Sequence, residues 1–97
     1  MSPEVRFHPE AEKEVLTSAA WYLERSPVAG QAFLLEVDRV ITQILESPSR
    51  WPISIQGTRR ILLPRFPFSI FYRISGDLIE VIAVAHQSRR PGYWQFR

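Results

Sequence analysis

The sequence predicts an α+β fold in which a helical hairpin packs on one face of an antiparallel sheet, in the chain order β-α-α-β-β-β. Two stretches with helical spacing of apolar residues, 10–25 and 27–46, follow one another almost without a loop. Stretches rich in β-branched and aromatic residues precede and follow them, and the last two of these flank a glycine turn. The chain has 97 residues, which predicts one domain over residues 1–97.

The first strand and first helix are predicted within residues 5–25. Val5 and Phe7 alternate with charged residues, which predicts a short strand, and Pro9 suits the first turn of a helix. The apolar residues of the next four turns share one arc: Val15, Leu16, Ala19, Tyr22 and Leu23. Trp21 lies on the opposite, polar arc. We therefore expect either the chain's own C-terminal segment or a partner to cover its ring.

The second helix is predicted to begin after Ser26, because a hydroxyl followed by proline is a typical helix start. Its apolar stripe consists of Phe33, Val37, Val40, Ile41 and Ile44. Gly30 lies in the same arc, where the missing side chain permits close approach of the first helix. Ser47-Pro48 ends the second helix. The short connection predicts that the two helices are antiparallel.

A strand over residues 58–63 is predicted to precede a β-hairpin with Gly76-Asp77 as its type II′ turn. This turn predicts four cross-strand pairs: Ile74/Ile79, Arg73/Glu80, Phe71/Ile82 and Ser69/Val84. Because side chains alternate along a strand, one face is predicted to be apolar and to lie on the helices: Phe68, Ile70, Tyr72, Ile74, Ile79, Val81, Ala83 and Ala85. The other face is mixed and is predicted to meet a ligand or partner: Ser69, Phe71, Arg73, Glu80, Ile82, Val84 and His86.

Several classes of function lack support in the sequence. There is no cysteine, which removes disulfides and thiolate metal sites. The two histidines, His8 and His86, are far apart, and neither a glycine-rich phosphate loop nor a nucleophile motif is present. We therefore expect no metal and no cofactor. No apolar run has the length of a membrane span and the N-terminus lacks a signal-peptide pattern, so the expected setting is the cytosol, without a membrane partner.

The charges are divided unequally between the two halves of the chain. Up to Pro48 there are eight acidic and four basic residues, whereas the remainder has eight arginines and only two acidic residues. Arginine is favoured where phosphate or carboxylate is held by paired hydrogen bonds. The basic half therefore predicts an anionic partner, although a solvated surface is the simpler interpretation for any single arginine.

Residues that could carry chemistry are concentrated after the last strand. They are His86, Arg89, Arg90, Tyr93 and Trp94, with Ser69 and Arg73 predicted on the same sheet face. Such residues suit metal-free RNA cleavage, with His86 as general acid or base, Arg73 or Arg90 on the phosphate, and Tyr93 or Trp94 stacking on a base.

Each of these residues also has a simpler structural interpretation. Arg73 faces Glu80 in the predicted register, so the two could form a cross-strand ion pair. Tyr93 and Trp94 could pack the C-terminal segment onto the domain. His86 could be a hydrogen-bonded residue at the end of its strand. Spacing alone favours these interpretations for each residue taken singly.

Five segments together resemble the RelE/ParE toxin superfamily: FHPEAEKE, WYLERSP, SPSRWP, RRILLPRFPFSIFYRI and VIAVAHQSRRPGYW. The resemblance extends over essentially the whole chain, and its most specific part is FPFSIFYR followed by AHQSRRPGYW. It implies the same β-α-α-β-β-β fold. It also implies a toxin of a type II toxin–antitoxin pair, held inactive by an antitoxin protein.

The superfamily contains two kinds of toxin. RelE-like members cleave mRNA on the ribosome, whereas ParE-like members inhibit DNA gyrase and are not nucleases. RelE-like nucleases usually have an arginine where this chain has Ser69, and lysines before the hairpin, whereas the only lysine here is Lys13. These departures favour the ParE-like function, with the RelE-like nuclease as the alternative. A member that binds its antitoxin without being toxic is a third possibility.

The resemblance and the charge pattern together predict two binding surfaces. Target-binding residues are expected to be Arg59, Arg60, Arg65, Arg73, His86, Arg89, Arg90, Tyr93 and Trp94. A nuclease would use Arg73, His86, Arg90 and Tyr93. The antitoxin is expected to be acidic and partly disordered before binding. Its expected contacts are Trp21, Arg65 and Arg73.

Overall fold

A computed structural model describes residues 3–97 and has two helices packed on a four-stranded sheet. The predicted order of helices and strands is confirmed. The elements are β1 (Glu4–Phe7), α1 (Pro9–Arg25), α2 (Pro27–Glu46), a short 3-10 turn (Ile55–Gly57), β2 (Arg59–Leu62), β3 (Phe68–Ser75) and β4 (Leu78–His86). No helix within residues 3–97 combines the length and the apolar character needed to span a bilayer.

The sequence predicted an antiparallel sheet, whereas the observed sheet is mixed, because one of its three strand pairs is parallel. Its strand order is β1-β4-β3-β2, with antiparallel pairing of β2 with β3 and of β3 with β4. β1 runs parallel to β4, from Glu4 beside Leu78 to Phe7 beside Val81. The partner of β1 lies more than seventy positions away in the sequence. No local pattern in the sequence therefore indicates that β1 joins the sheet at the β4 edge.

Ser26 divides the helical region into two helices. Its backbone N–H donates to the carbonyl of Tyr22 at 2.8 Å and so closes α1. Its side-chain hydroxyl accepts a hydrogen bond from the N–H of Ala29 at 3.2 Å and so opens α2. One residue therefore ends one helix and begins the next, which produces the predicted antiparallel hairpin.

Gly30 is the point of close approach between the two helices. A Cβ placed on Gly30 would lie 2.3 Å from Cγ of Leu23 and 3.1 Å from its Cα. The first distance is far below van der Waals contact, so Leu23 occupies the space that a larger residue at position 30 would need. The predicted role of Gly30 is confirmed.

We expect Gly30→Val to lower the free energy of unfolding by about 1–3 kcal/mol, because Leu23 must leave its position and the helices must separate. Urea unfolding followed by circular dichroism measures the change. Gln31→Val is the matched control, since residue 31 is exposed on the same helix. Equal effects of the two substitutions would show that valine in the helix, and not the contact with Leu23, causes the loss.

The sheet is covered on both faces. The helices cover one face, with a core that includes Phe33, Ile44, Ile70, Tyr72 and Val81. On the other face a second cluster consists of Phe71, Ile82, Ala83, Ala85 and Trp94. Trp94 comes from residues 87–97, here called the tail segment. The tail segment therefore folds back over the face that the sequence predicted to be open to a ligand.

The register of the hairpin is as predicted near the turn and different beyond it. Gly76 has φ +58°, and the pairs Ile74/Ile79 and Arg73/Glu80 are observed. The next pair is Tyr72/Val81 and the one after it is Phe71/Ala83, so Ile82 is an additional residue in β4.

This β-bulge makes two predicted pairs wrong. Phe71 faces Ala83, not Ile82, and Ser69 faces Ala85, not Val84. Residues 81–85 are all apolar, so their pattern is compatible with either register. The small side chains of Ala83 and Ala85 belong to the same cluster as Trp94. Val84 and His86 are therefore on the helix side of the sheet, the reverse of their predicted face.

Candidate functional site

A small cleft of about 170 Å³ lies between the tail segment and the adjacent ends of β2, β3 and β4. We call it the tail cleft. Its functional side chains are those of Arg60, Ser69, His86, Arg89, Arg90 and Tyr93. Three arginines and no carboxylate line it. Unbalanced positive charge in a concave surface attracts anions.

Ser69 and Arg60 form the floor and one wall of the tail cleft. They come from the neighbouring strands β3 and β2 and are joined by a hydrogen bond from Arg60 Nε to Ser69 Oγ at 3.1 Å. Ser69 is buried, whereas Arg60 is exposed. Ser69 therefore orients Arg60 and supplies no charge of its own.

The opposite wall of the tail cleft is formed by Tyr93 and the two arginines of the tail segment. The Arg89 guanidinium lies over the Tyr93 ring, with its Cζ 3.9 Å from the ring centroid. The Tyr93 hydroxyl donates a hydrogen bond to the Glu14 carboxylate. Burial raises the pKa of Tyr93 well above its usual value, and this hydrogen bond raises it further. Tyr93 is thus a neutral support for Arg89 at physiological pH.

The pKa of all three tyrosines, Tyr22, Tyr72 and Tyr93, is raised, with burial as the largest cause. We therefore expect no phenol of the folded protein to ionise at the ordinary pKa of about 10. The neutral phenols contribute stability that is present below about pH 10 and is lost as the pH rises towards the folded-state pKa values. Absorbance at alkaline pH follows phenolate formation. Tyr93→Phe should remove the phenolate that forms last, and a phenol that titrates normally in the folded chain would contradict the expectation.

Trp94 is buried and cannot stack on a ligand. It is 1% exposed, and its ring centroid is 4.7 Å from that of Phe71. The alternative that Trp94 packs the tail segment onto the domain is therefore the one observed. Its predicted role as a target-contacting ring is not supported by this position.

Arg73 lies outside the tail cleft. Its Nε donates to the Gln56 carbonyl at 3.4 Å and its Nη1 to the Arg97 carbonyl at 3.3 Å. It faces Glu80 across the strands, yet no ion pair joins the two among the described residues. The four residues predicted for a nuclease are thus not brought together. His86, Arg90 and Tyr93 line the tail cleft, and Arg73 instead connects the 3-10 turn to the end of the chain.

The other two predicted arginines also lie away from the cleft. Arg59 Nη1 donates to the carbonyls of Ser49 and Trp51 and so holds the loop after α2. Arg65 is exposed in the β2–β3 loop, and its backbone N–H donates to the buried carboxylate of Glu36 at 2.9 Å. Arg60, Arg89 and Arg90 therefore form the clustered part of the predicted target surface.

His86 lies between the tail cleft and a second depression of about 370 Å³, here called the helix groove. The groove is lined by Thr17, Ser18, Trp21, Tyr22, Phe68, His86 and Ser88. The His86 ring meets Phe68 edge-on at 5.0 Å, and its Nδ1 accepts a hydrogen bond from the Ser88 N–H at 3.0 Å. His86 is thus a hydrogen-bonded residue at the end of its strand, as the simpler interpretation had it.

Trp21 forms the outer wall of the helix groove. It is 51% exposed, so the tail segment does not cover its ring. The Arg25 guanidinium lies over one face of the indole, with its Cζ 3.6 Å from the ring centroid. Of the two expectations for Trp21, cover by the chain's own C-terminal segment is not found, and a partner remains the prediction.

Two features of the site were not found by sequence reasoning. Glu14 of α1 accepts hydrogen bonds from the tail segment and from β4. Two exposed apolar residues border the tail cleft: Ile55 lines it, and Leu62 stands opposite Ser69 on β2. No local pattern marks Glu14, because its partners are 70 to 83 positions away.

Within residues 3–97 no three histidine, aspartate or glutamate side chains are grouped as metal ligands.

Comparison with known proteins gives a consistent result. A family model for the ParE toxin of the type II toxin–antitoxin system parDE matches residues 5–91. Toxin ParE2 from two strains of Mycobacterium tuberculosis, H37Rv and CDC 1551, is 25% identical over 92 residues, covering 94% of this chain and 88% of the relative. A solved structure of the chromosomal ParDE system from P. aeruginosa superposes with a TM-score of 0.76 at 16% identity, covering 88% of this chain and 96% of that one. At that identity the structural likeness concerns the fold.

Proposed function

Since this chain belongs to the ParE toxin family of type II toxin–antitoxin systems, we propose that it inhibits DNA gyrase by binding through the tail cleft and its rim. A cognate antitoxin neutralises it by binding in the helix groove, which meets the tail cleft at His86. The observation that carries this proposal is the clustering of Arg60, Arg89 and Arg90 around a cleft without a carboxylate. Such a cluster favours an acidic surface on the target.

The border of the tail cleft supports a protein target over a nucleic acid. Ile55 and Leu62 are 44% and 52% exposed beside the arginines. Apolar and arginine side chains in one patch are typical of protein–protein interfaces. A phosphate backbone would have no favourable contact with exposed isoleucine and leucine.

The RelE-like alternative uses His86, Arg90 and Tyr93, which do line one cleft. Two features disfavour it. The hydroxyl of Tyr93 is engaged by Glu14, and the position of the expected catalytic arginine holds Ser69, which has no charge to stabilise a developing phosphorane. Loss of such a cation costs roughly 100-fold or more in rate.

We propose that the antitoxin is an acidic protein, partly disordered before binding, and that it occupies the helix groove. The half-exposed ring of Trp21 and the apolar wall of Tyr22 and Phe68 suit an apolar side chain of such a segment. His86 lines both this groove and the tail cleft. Acidic residues further along the antitoxin segment would therefore be near Arg89. Arg65 is exposed and could add a contact, whereas Arg73 already bonds two carbonyl oxygens.

Three assays separate the possible functions. Purified protein should inhibit gyrase supercoiling or stabilise gyrase-cleaved DNA, and toeprinting of translated mRNA should show no new cleavage. Cleavage that disappears in His86→Ala and Arg90→Ala would instead establish the nuclease alternative. Normal growth of a bacterial host after induction of the chain alone would support a member that binds its antitoxin without being toxic.

A further inference from the structure

The outer edge of β4 is covered by β1 over only part of its length. β1 pairs with Leu78–Val81, and the N–H of His8 donates to the carbonyl of Val81 at 2.9 Å. Beyond Val81 no strand follows on this side within residues 3–97. Exposed backbone groups on such an edge need other partners.

Two side chains supply those partners. Glu14 Oε1 accepts from the N–H of Val84 at 3.0 Å, and Arg97 Nη1 donates to the carbonyl of Ile82 at 3.1 Å. The edge next to the β-bulge is thus satisfied by one acceptor from α1 and one donor from the tail segment. β1 ends at Val81 and the bulge lies just beyond it, so no strand pairs with the carbonyl of Ile82 and the N–H of Val84 on this side. Arg97 and Glu14 bind these two groups instead.

Glu14 and Arg97 also bind each other by two parallel hydrogen bonds. Arg97 Nη1 lies 2.9 Å from Glu14 Oε1, and Arg97 Nη2 lies 3.1 Å from Glu14 Oε2. The two side chains are only 15% and 16% exposed. The hydroxyl of Tyr93 donates to the same carboxylate. One carboxylate therefore holds Val84, Tyr93 and Arg97 at once.

We infer that Glu14 is a positioning residue that holds the tail segment on the sheet and thereby places Arg89 and Arg90 for target binding. Glu14 does not line the tail cleft, so it acts through the tail segment. It fixes the hydroxyl of Tyr93, and the Arg89 guanidinium lies on the Tyr93 ring. This inference rests on the proposed function, in which the tail arginines contact the target.

Trp94 and Glu14 hold the tail segment in different ways. Trp94 packs on Phe71 on one face of the sheet, whereas Glu14 binds Tyr93, just before Trp94, and Arg97, three residues after it. Removing Glu14 leaves the Trp94 contact and the helix-side core in place. The tail segment should then remain attached but lose its fixed orientation.

The test compares Glu14→Ala and Glu14→Gln with Glu12→Gln, an exposed residue on the same helix, in the full chain. Hydrogen exchange measured by mass spectrometry reports on residues 87–97 separately from α2 and β3. We expect Glu14→Ala to raise exchange in residues 87–97 at least tenfold, with α2 and β3 unchanged. Glu14→Gln should give a smaller rise, because the amide oxygen can still accept from Val84, and Glu12→Gln should give none.

Gyrase inhibition by the same variants is the functional measurement, and Glu14→Ala should weaken it about tenfold. Unchanged exchange in the tail segment, or unchanged inhibition despite a loosened tail segment, would overturn the inference. If Glu14→Ala raises exchange throughout the domain, the double variant Tyr93→Phe/Arg97→Gln removes the bonds between Glu14 and the tail segment from the other side and keeps the bond from Val84. A global rise there too would show a purely structural role. The exchange result stands even if the wild-type chain does not inhibit gyrase, so the two proposals fail separately.

Discussion

Trp94→Ala is expected to lower the free energy of unfolding by about 3–5 kcal/mol, the usual cost of removing a buried tryptophan. Trp94 is 1% exposed and is the largest member of the second apolar cluster. Ala83 and Ala85 of the same cluster are too small to fill the space that its ring would leave. Urea unfolding monitored by circular dichroism measures the loss.

Phe96→Ala is the matched control for Trp94→Ala. Phe96 lies two positions further along the tail segment and is 93% exposed. Its substitution should change the free energy of unfolding by less than about 0.5 kcal/mol. A Trp94→Ala protein as stable as the Phe96→Ala protein would show that the tail segment does not contribute to the core. Because Trp94 also lines the tail cleft, we expect Trp94→Ala to lose target inhibition as well.

The double charge reversal Arg89→Glu/Arg90→Glu should weaken inhibition of the target about 100-fold or more. Hydrogen bonds to charged groups contribute roughly 1.5–3 kcal/mol each, so loss of two removes at least about 3 kcal/mol, which is roughly 100-fold in affinity. Both residues are exposed, so the fold should persist. The concentration that halves gyrase supercoiling activity measures the effect.

Arg6→Glu/Arg39→Glu is the control for this reversal. It makes the same change in net charge at two exposed residues outside the tail cleft. We expect it to change inhibition little, and we expect inhibition by the wild type to weaken as salt is added. Equal losses in the two double variants would mean that overall charge, and not the tail cleft, governs inhibition.

The parts of the fold that the sequence predicted correctly depend on neighbouring residues. Ser26 caps both helices, Gly30 leaves space for the side chain of Leu23, and Gly76 begins a two-residue turn. Each of these effects acts within about seven positions in the sequence. The positions of the helices follow from the 3.6-residue period of their apolar side chains.

The predicted site was only partly assembled, because Arg73 bonds the carbonyls of Gln56 and Arg97 and lies outside the tail cleft. The register beyond the bulge was also wrong. Strand periodicity identifies a face only where apolar and polar residues alternate, and residues 81–85 are all apolar. The wrong register placed His86 on the mixed face, whereas His86 lies on the helix side of the sheet, beside Phe68. It also placed Ala83 and Ala85 on the helix face, although they belong to the cluster that contains Trp94 on the other face. The charge asymmetry marked the second half of the chain as basic, but it did not distinguish Arg60, Arg89 and Arg90, which line the tail cleft, from the other arginines there.

The sequence by itself determined the order of the helices and strands, the helical hairpin, the final turn and the cationic character of the tail segment. These follow from local steric preferences and from composition. Only the tertiary structure decided which edge β1 joins, which face the tail segment covers, and that Glu14 binds Arg97 across 83 positions. Those contacts join distant parts of the chain, and their free energy depends on burial and distance, which a linear pattern does not contain.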